Sequence, residues 1–586
     1  MGLKGVGIVM KLPSKLFIAL LILLLATLST ASSFWQNRIS SLEHDIAELR
    51  TTLETSRLQM RRLDYPKLEE IINDCEVNLK EAQRLLTEKD DSEEAQTLIV
   101  NVVNMLNDIK PFLCESLSVE TRGMWVDNFT IDTFYTQEDV AKHLDELKAI
   151  NVNVIFPDVY GNGSSIYPSK VVPQKQKFQV MFEEKDVLEM IIEEAHKRDI
   201  EVHPLVRVFG LHNGAEHFID SRSDWLDKTS EGLYTLSNGY FWLCPAHPEV
   251  REYNIAMLKE LTTNYDIDGI HLDYIRYDAD FGYNDFMRSL FQQLYGIDPF
   301  DIDSPRMESI FTVFKQQFVN KFIERTYYEL KAIKPELLIS AAVASPYSWG
   351  KNDLGQDWLN WIENRQINFL TPMSYRTTVD QYTSTVRSEI NTVSSRSYIY
   401  TGLGIYLYDG SVLLGQIQGG RDSQITGQAV FSTANMKSYH YKALKDGPWR
   451  SPAIPTFRDP LNAAQILIDD SNARLQEFEP VINAEPELIT EYVSIMKDIS
   501  ADIKSLDIRP WDTRDLRQEN LDEVTQLEPI IEKLKDFRLK INRDSKREQL
   551  IPDPTAERLI NDIECVRTLL QPLLYTSLPF EYVPTR

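Results

Sequence analysis

Asp273, Tyr274 and Arg276 crowd the end of a short run, residues 266–277, in which Ile270 and Leu272 alternate with His271 and Asp273. A period of two is that of a strand, and Gly269 lets the chain turn tightly into it. A carboxylate at a strand's carboxyl end stands where α/β barrels keep their catalytic groups. An Asp next to an Arg is equally an ordinary structural ion pair. Other polar residues fall just after apolar runs in the same way. They are Asp127 and Asn128; Asp158 and Tyr160; Arg207 and His212; Ser345, Tyr347, Trp349 and Asp353; Ser374, Tyr375 and Arg376; Tyr406; and Asn435. Paired carboxylates supply the acid and base of glycosidic cleavage, and rings offer flat faces to sugars. Each residue also has a structural reading: Asp357 as a helix N-cap, Asp158 as a turn former, Tyr and Trp as packing.

The elements that would position these residues alternate along the chain. Strands are expected at 122–127, 152–159, 202–208, within 266–277, and at 337–343, 367–373, 398–405 and 427–432. Helices are expected at 137–150, 186–200, 248–265, 310–333, 358–365 and 379–393, with a short one from Ser411. Alternation predicts a parallel α/β sheet, and eight repeats predict a closed TIM (β/α)8 barrel over 120–450. N- and C-terminal α-helical segments flank it. Residues 64–117 read as a helical hairpin, with Leu68, Ile71, Ile72, Cys75 and Leu79 on one helix and Leu98, Ile99, Val102, Val103 and Leu106 on the other. Residues 455–586 read as an acidic helical bundle.

The 586 residues carry a net charge of −26, which disfavours nucleic acid as a partner. Cys75, Cys114, Cys244 and Cys565 have no CxxC spacing, so no metal site and no cofactor are expected. Lys4, Lys11 and Lys15 precede the apolar run Leu16–Leu28, and Ser29-Thr30-Ala31 follows. Residues 1–33 therefore read as a cleaved signal peptide or a membrane anchor, which puts the rest of the chain outside the cytoplasm. Ile39, Leu42, Ile46, Leu49, Leu53, Met60 and Leu63 form a heptad seam over 35–63. It predicts a coiled-coil stalk and a homo-oligomer, or a single amphipathic helix lying on the protein's own surface. Asn128-Phe129-Thr130 and Asn162-Gly163-Ser164 are N-glycosylation sequons in loops.

Several stretches together resemble the glycosyl hydrolase-like family ten, a group of bacterial and archaeal (β/α) barrels. They are Arg122–Val126, Tyr160–Ser169, Ile192–Arg198 with Glu201–Pro204, Cys244–Arg251 with Asp268–Tyr277, Asp357-Trp358 and Thr371–Tyr375. The resemblance covers roughly 120–450. It implies an extracytoplasmic hydrolase acting on a polysaccharide or cell-wall glycan, some relatives cutting peptidoglycan glycan strands. It places Asp273 as nucleophile or electrostatic stabiliser. Relatives often show two acidic residues in succession where this chain has Asp273-Tyr274, so the acid/base partner is open: Asp357 and Asp353 first, Asp158 behind them. Arg276 would hold Asp273 ionised, and His271 would bind a sugar hydroxyl. Asp158, Tyr160, Arg207, Tyr274, Trp349 and Tyr375 complete the expected substrate-binding set. The competing reading is an inactive, surface-anchored glycan-binding or scaffold barrel. A metal-dependent deacetylase using His203, His212 and His271 ranks below both, because the chain has no metal-spaced cluster.

Overall fold

The computed structural model describes residues 14–89, 92–181, 186–211, 216–235, 239–508 and 525–576, and of 14–33 the backbone alone. Two compact units divide the chain. Residues up to Arg57 with Arg61–Leu113 form one, and Leu58–Met60 with Cys114 onward form the other.

The first unit is three helices, Ser14–Leu58, Tyr65–Arg84 and Ser92–Ile109. Ile39, Leu42, Ile46 and Leu53 of the heptad seam are buried in one core with Leu68, Ile72, Cys75, Leu79, Ile99 and Val102. Arg50 pairs with Glu76 at 2.7 Å and fixes the first helix to the second. The seam is thus filled by the chain's own helices, so burying it requires no second copy. Among the described residues no helix is long and apolar enough to cross a membrane. The side chains of the expected leader or anchor, 1–33, lie outside the described residues.

The second unit is built on eight strand positions: β1 Thr121–Val126, β2 Val154–Gly161, β3 in two pieces (Glu201–Val202 and Leu205–Arg207), β4 Gly269–Asp273, β5 Leu338–Val343, β6 Phe369–Pro372, β7 in two pieces (Tyr398–Ile399 and Thr401–Gly404), and β8 Gly427–Phe431. Neighbours run parallel all the way round, and β1 pairs with both β2 and β8. The first piece of β7 pairs with β6 and the second with β8, so this strand closes the TIM barrel. The break in β3 falls at Pro204, which has no N–H to give to the ladder. Most barrel strand residues are buried, as parallel strands covered by helices must be.

One excursion was not expected. After β3 the chain forms an antiparallel hairpin, Gly210–Leu211 with Phe241–Trp242, before the helix Pro248–Asn264. Helices Asp285–Tyr295 and Tyr347–Leu354 also stand in the loops after β4 and β5.

The amino end of the barrel is sealed from the inside. Phe457 stacks on Phe369 at 5.0 Å and packs edge-on to His203. Beside it Glu120 is held between Arg122 (2.9 Å) and Arg421 (2.7 Å). The Arg122 guanidinium donates to the carbonyls of Ser451, Leu117 and Pro448. Burial works against the charge of Glu120, but Arg421 and Arg122 outweigh it and hold the carboxyl below its usual range. The C-terminal helices Pro460–Ile482, Pro486–Lys504, Leu527–Lys546 and Asp553–Thr576 dock on this end. Arg558 reaches Glu115 at 2.8 Å, and the Tyr398 hydroxyl donates to the Leu569 carbonyl.

Glu120→Gln would leave two buried guanidiniums with one neutral partner. Removing one member of a buried charge network costs about 3–5 kcal/mol, so urea unfolding is expected to show a loss of that order. An unchanged midpoint would contradict the role given to Glu120.

Candidate active site

Asp273 ends β4 at the carboxyl mouth, and its Oδ1 accepts the N–H of Tyr274 at 2.7 Å. Its register partner on β3 is Arg207. The Arg207 guanidinium forms an ion pair with Asp158 of β2 and donates to Asn128 Oδ1 at 3.1 Å. Three adjacent strands thus set two carboxylates on either side of one guanidinium. Gly161 lies close against it: a Cβ there would stand 3.0 Å from the Arg207 Cδ, so the side chain would have to give by a few tenths of an ångström. Asn128 follows β1 on a turn that Asp127 ties to β8, accepting from the Ser432 hydroxyl and the Ala434 N–H.

Burial pushes the Asp273 carboxyl above its usual range; the Tyr274 N–H, Arg276 and Arg207 oppose this, and Asp158 adds to it. Asp158 is likewise raised by burial, against the pull of Arg207 and Lys175. Of the carboxylates, Asp158 is the one that acts most strongly on Asp273.

Tyr274, where a second acid was missing, explains the departure in physical terms. It adopts φ +51°. Its ring lies on Gly210, where a Cβ would come within 2.5 Å. It stacks on Tyr240 (6.4 Å, 18°) and leans on Trp242 (5.7 Å). The hairpin after β3 therefore exists at the mouth as a wall for this ring. Arg276 lies over Trp242 at 4.8 Å, and its direct partner is Asp278 at 3.5 Å rather than Asp273. It acts on Asp273 only through space.

Tyr375 stands on the other side of Asp273. Its ring lies across Gly402 and Gly404 of β7, where added Cβ atoms would meet it at 2.8 and 3.0 Å. It packs against Phe431 at 5.6 Å and Tyr406 at 6.0 Å. Burial, and next the charge of Asp273, push its hydroxyl well above its usual range, so it stays protonated.

The remaining expected residues have other partners. Asp357 heads the helix Trp358–Glu363 without capping it. Its carboxylate instead accepts from the Tyr347 hydroxyl at 2.5 Å and pairs with Lys351 at 3.0 Å. Asp353 is exposed and acts on Lys315. Tyr160 is 1% exposed and bonds Tyr253 of the helix Pro248–Asn264, so it faces the helix layer rather than the mouth.

His271 points inward as expected but lies a layer below the mouth, 0% exposed. Its Nε2 accepts from Trp125 Nε1 at 3.3 Å, and Nδ1 bonds Ser340 Oγ at 2.8 Å. Indole N–H can only donate, which fixes a neutral ring with its proton on Nδ1. Burial lowers its pKa well below the usual value. Neither nitrogen is left for a sugar hydroxyl. His203 is buried at the sealed end, and His212 lies outside the described residues. Among the described residues no group of three or more His, Cys, Asp or Glu is placed to hold a metal.

Trp349 and Tyr406 are 44% and 50% exposed after β5 and β7 and offer ring surface to solvent. The small recess beside Asp158 is lined by Asn128, Asn162, Lys175 and Arg207. Both sequon asparagines are therefore parts of the mouth, where a glycan would obstruct it. Lys175 lies well beyond β2 and carried no signal in the sequence. A cleft of about 450 Å³ opens at the opposite end of the barrel, but His196–Asp268 and Arg458–Glu201 satisfy each other there.

The model of the family described as glycosyl hydrolase-like 10 matches residues 120–410. This barrel belongs to that family. Within the glycosyl hydrolase-like 10 match, Asp273, Asp158 and Arg207 all fall inside the matched residues. The chain is 23% identical to "Glycosyl hydrolase YngK" of Bacillus subtilis (strain 168) over 305 residues, covering 45% of this chain and 56% of the relative. It is 21% identical to "Glycosyl hydrolase DigH" of Escherichia coli (strain K12) over 275 residues, covering 43% and 60%. The match thus spans little more than half the length of these relatives. Among solved structures, alpha-L-fucosidase isoenzyme 2 from Paenibacillus thiaminolyticus aligns with a TM-score of 0.43 at 16% identity, covering 56% of this chain and 48% of that one.

Asp227 anchors the excursion after β3. Its Oδ1 accepts from the N–H groups of Lys228 and Asn284, and burial pushes its carboxyl up to about 7. A folded pKa above the ordinary one gives stability that is present at low pH and lost as pH rises through about 7. Asp227→Asn cannot titrate, so relative to the parent it should gain as pH rises from about 4 to 8, by as much as about 4 kcal/mol. Paired urea titrations check this; a difference that does not change with pH would contradict it.

Proposed function

We propose that this glycosyl hydrolase-like barrel cleaves an O-glycosidic bond in a cell-wall or cell-surface glycan, with Asp273 and Asp158 as its carboxylate pair. The observation that carries the reading is the single guanidinium of Arg207 set between them. Each carboxyl is raised by burial, and only one can be neutralised by Arg207. Two like charges in one buried site resist full ionisation. In the proposed working state the pair holds one proton, with Asp158 ionised on Arg207 and Asp273 protonated. Asp273 then acts as general acid on the leaving oxygen, and Asp158 as the charge that opposes the developing cation or orients water. The strands of Asp158 and Asp273 lie two apart, about 10 Å between backbones, with Arg207 on the strand between them; the sugar is proposed to sit over this group from the carboxyl mouth. Tyr375 and Tyr274 flank that position, and the exposed rings of Trp349 and Tyr406 extend it.

The place of action is part of the proposal. Three lysines and an apolar run at the start of the chain support export or anchoring, with the barrel outside the cytoplasm.

The exposed rings at the mouth also suit a barrel that binds glycan without cutting it. New reducing ends from a panel of cell-wall and storage glycans separate the two readings. With a hydrolysed glycan, Asp273→Asn should lower turnover about 10²–10⁴-fold, with folding and glycan binding intact. On an aryl glycoside whose leaving group needs no proton, the same variant should lose far less, whereas Asp158→Asn should stay impaired. Full activity of Asp273→Asn on the natural glycan, or no difference between the two variants on the aryl substrate, would overturn the assignment. Binding with no reducing ends from the parent protein would favour the non-hydrolytic reading.

A further inference from the structure

The helix Val379–Val393 that follows β6 carries a carboxyl which the reaction above does not use. Glu389 is 3% exposed, and both its oxygens lie 2.9 Å from the Ser374 hydroxyl. Ser374 is fully buried and immediately precedes Tyr375, in a tight turn closed by its own N–H to the Pro372 carbonyl at 2.8 Å. The same helix also grips the far side of Tyr375. Thr385 accepts from Arg376 Nε at 3.1 Å, and Arg376 Nη1 donates to the Tyr375 carbonyl at 2.9 Å. The hydroxyl of the ring so placed lies close enough to Asp273 to be raised by its charge.

We propose that Glu389 is a positioning residue: by holding the Ser374 turn it sets where the Tyr375 ring stands beside Asp273. The inference rests on the proposed hydrolase reading for its effect on turnover, but the geometric part stands without it.

Burial pushes the Glu389 carboxyl up to about 7, against the pull of the nearby Ser345 hydroxyl, the hydrogen bond from Ser374 and the charge of Arg376. The groups facing it are Ser345 at the end of β5, Ser374 and Arg376 after β6, and Tyr382 on its own helix. The Tyr382 hydroxyl is already bonded to Thr401 and Gln428. Arg376 is the one cation among these groups, and its guanidinium is committed to Thr385 and the Tyr375 carbonyl. Below the midpoint the carboxyl is neutral and can donate to Ser374; above it the carboxylate can only accept. The grip on the turn therefore changes hand near neutral pH, and the Tyr375 ring should register the change.

The test uses the full chain labelled with 3-fluorotyrosine, the Tyr375 resonance being assigned by its loss in Tyr375→Phe. In the parent this resonance should move with a midpoint near the 7 of Glu389. The movement should persist in Asp273→Asn and vanish in Glu389→Gln. Should Glu389→Gln fail to fold, Ser374→Ala cuts the same link and should also abolish the movement. A resonance that ignores pH across about 6 to 8, or that moves identically in Glu389→Gln, overturns the inference. On a hydrolysed glycan, Glu389→Ala should lower kcat about 10- to 100-fold with KM little changed. Equal loss in both constants, or none, would also count against it. If the parent releases no reducing ends, the hydrolase reading fails while the fluorine titration still decides the role of Glu389.

Discussion

The mouth of this barrel depends on one guanidinium. Asp158 and Asp273 both stand where burial penalises charge, and two unpaired buried carboxylates would each cost several kcal/mol. Arg207 makes the pair tolerable, and it can do so only from the middle strand. Its register against Asp273, its ion pair with Asp158 and its hydrogen bond to Asn128 use three neighbouring strands and the turn after β1. Gly161 gives the Arg207 side chain room, and the Asp127 staple to β8 holds the turn that carries Asn128. Barrel closure through the split β7 is in turn what brings β8 beside β1.

Below the mouth the interior is made rigid by polar groups that satisfy each other. Trp125, His271 and Ser340 form one chain of hydrogen bonds under the site, with Phe156 on the face of the imidazole at 4.2 Å. Such a buried chain holds its members in one arrangement when every partner is present. The opposite end is closed by Phe457 and the Glu120 network, and the C-terminal helices attach there. The two ends thus differ: charge at the amino end fixes the bundle to the barrel, and charge at the carboxyl end is gathered in the Asp158–Arg207–Asp273 group.

Much of this was legible in the sequence. Alternating apolar runs specified eight strands to within a few residues, and the run into Asp273 marked the carboxyl end of the fourth. What the pattern could not give was the facing of individual side chains. A register shift between Asp158 and Tyr160 turns the ring to the helix layer while the carboxylate stays at the mouth. Asp357 met the positional criterion of an acid after β5, but Tyr347 and Lys351, brought to it by an unexpected helix, occupy its oxygens. His271 shares a face with Asp273, yet two residues along a strand is roughly 7 Å of depth, enough to move it from the mouth into the core. Asp158, ranked last among the partner acids, is the one the strand order places nearest in effect. The heptad seam gave a correct periodicity and two possible partners; the helices that fill it come from the same chain.

The central claim is that sugar is processed over Asp158 and Asp273. The most direct measurement is a structure of the Asp273→Asn protein soaked with an oligosaccharide that the parent degrades. The account predicts a sugar ring lying over the amide that replaces the Asp273 carboxyl and the Asp158–Arg207 pair, flanked by Tyr375 and Tyr274. An oligosaccharide seated elsewhere, with Asp357 and Asp353 at its glycosidic oxygen or in the cleft at the amino end of the barrel, would contradict it.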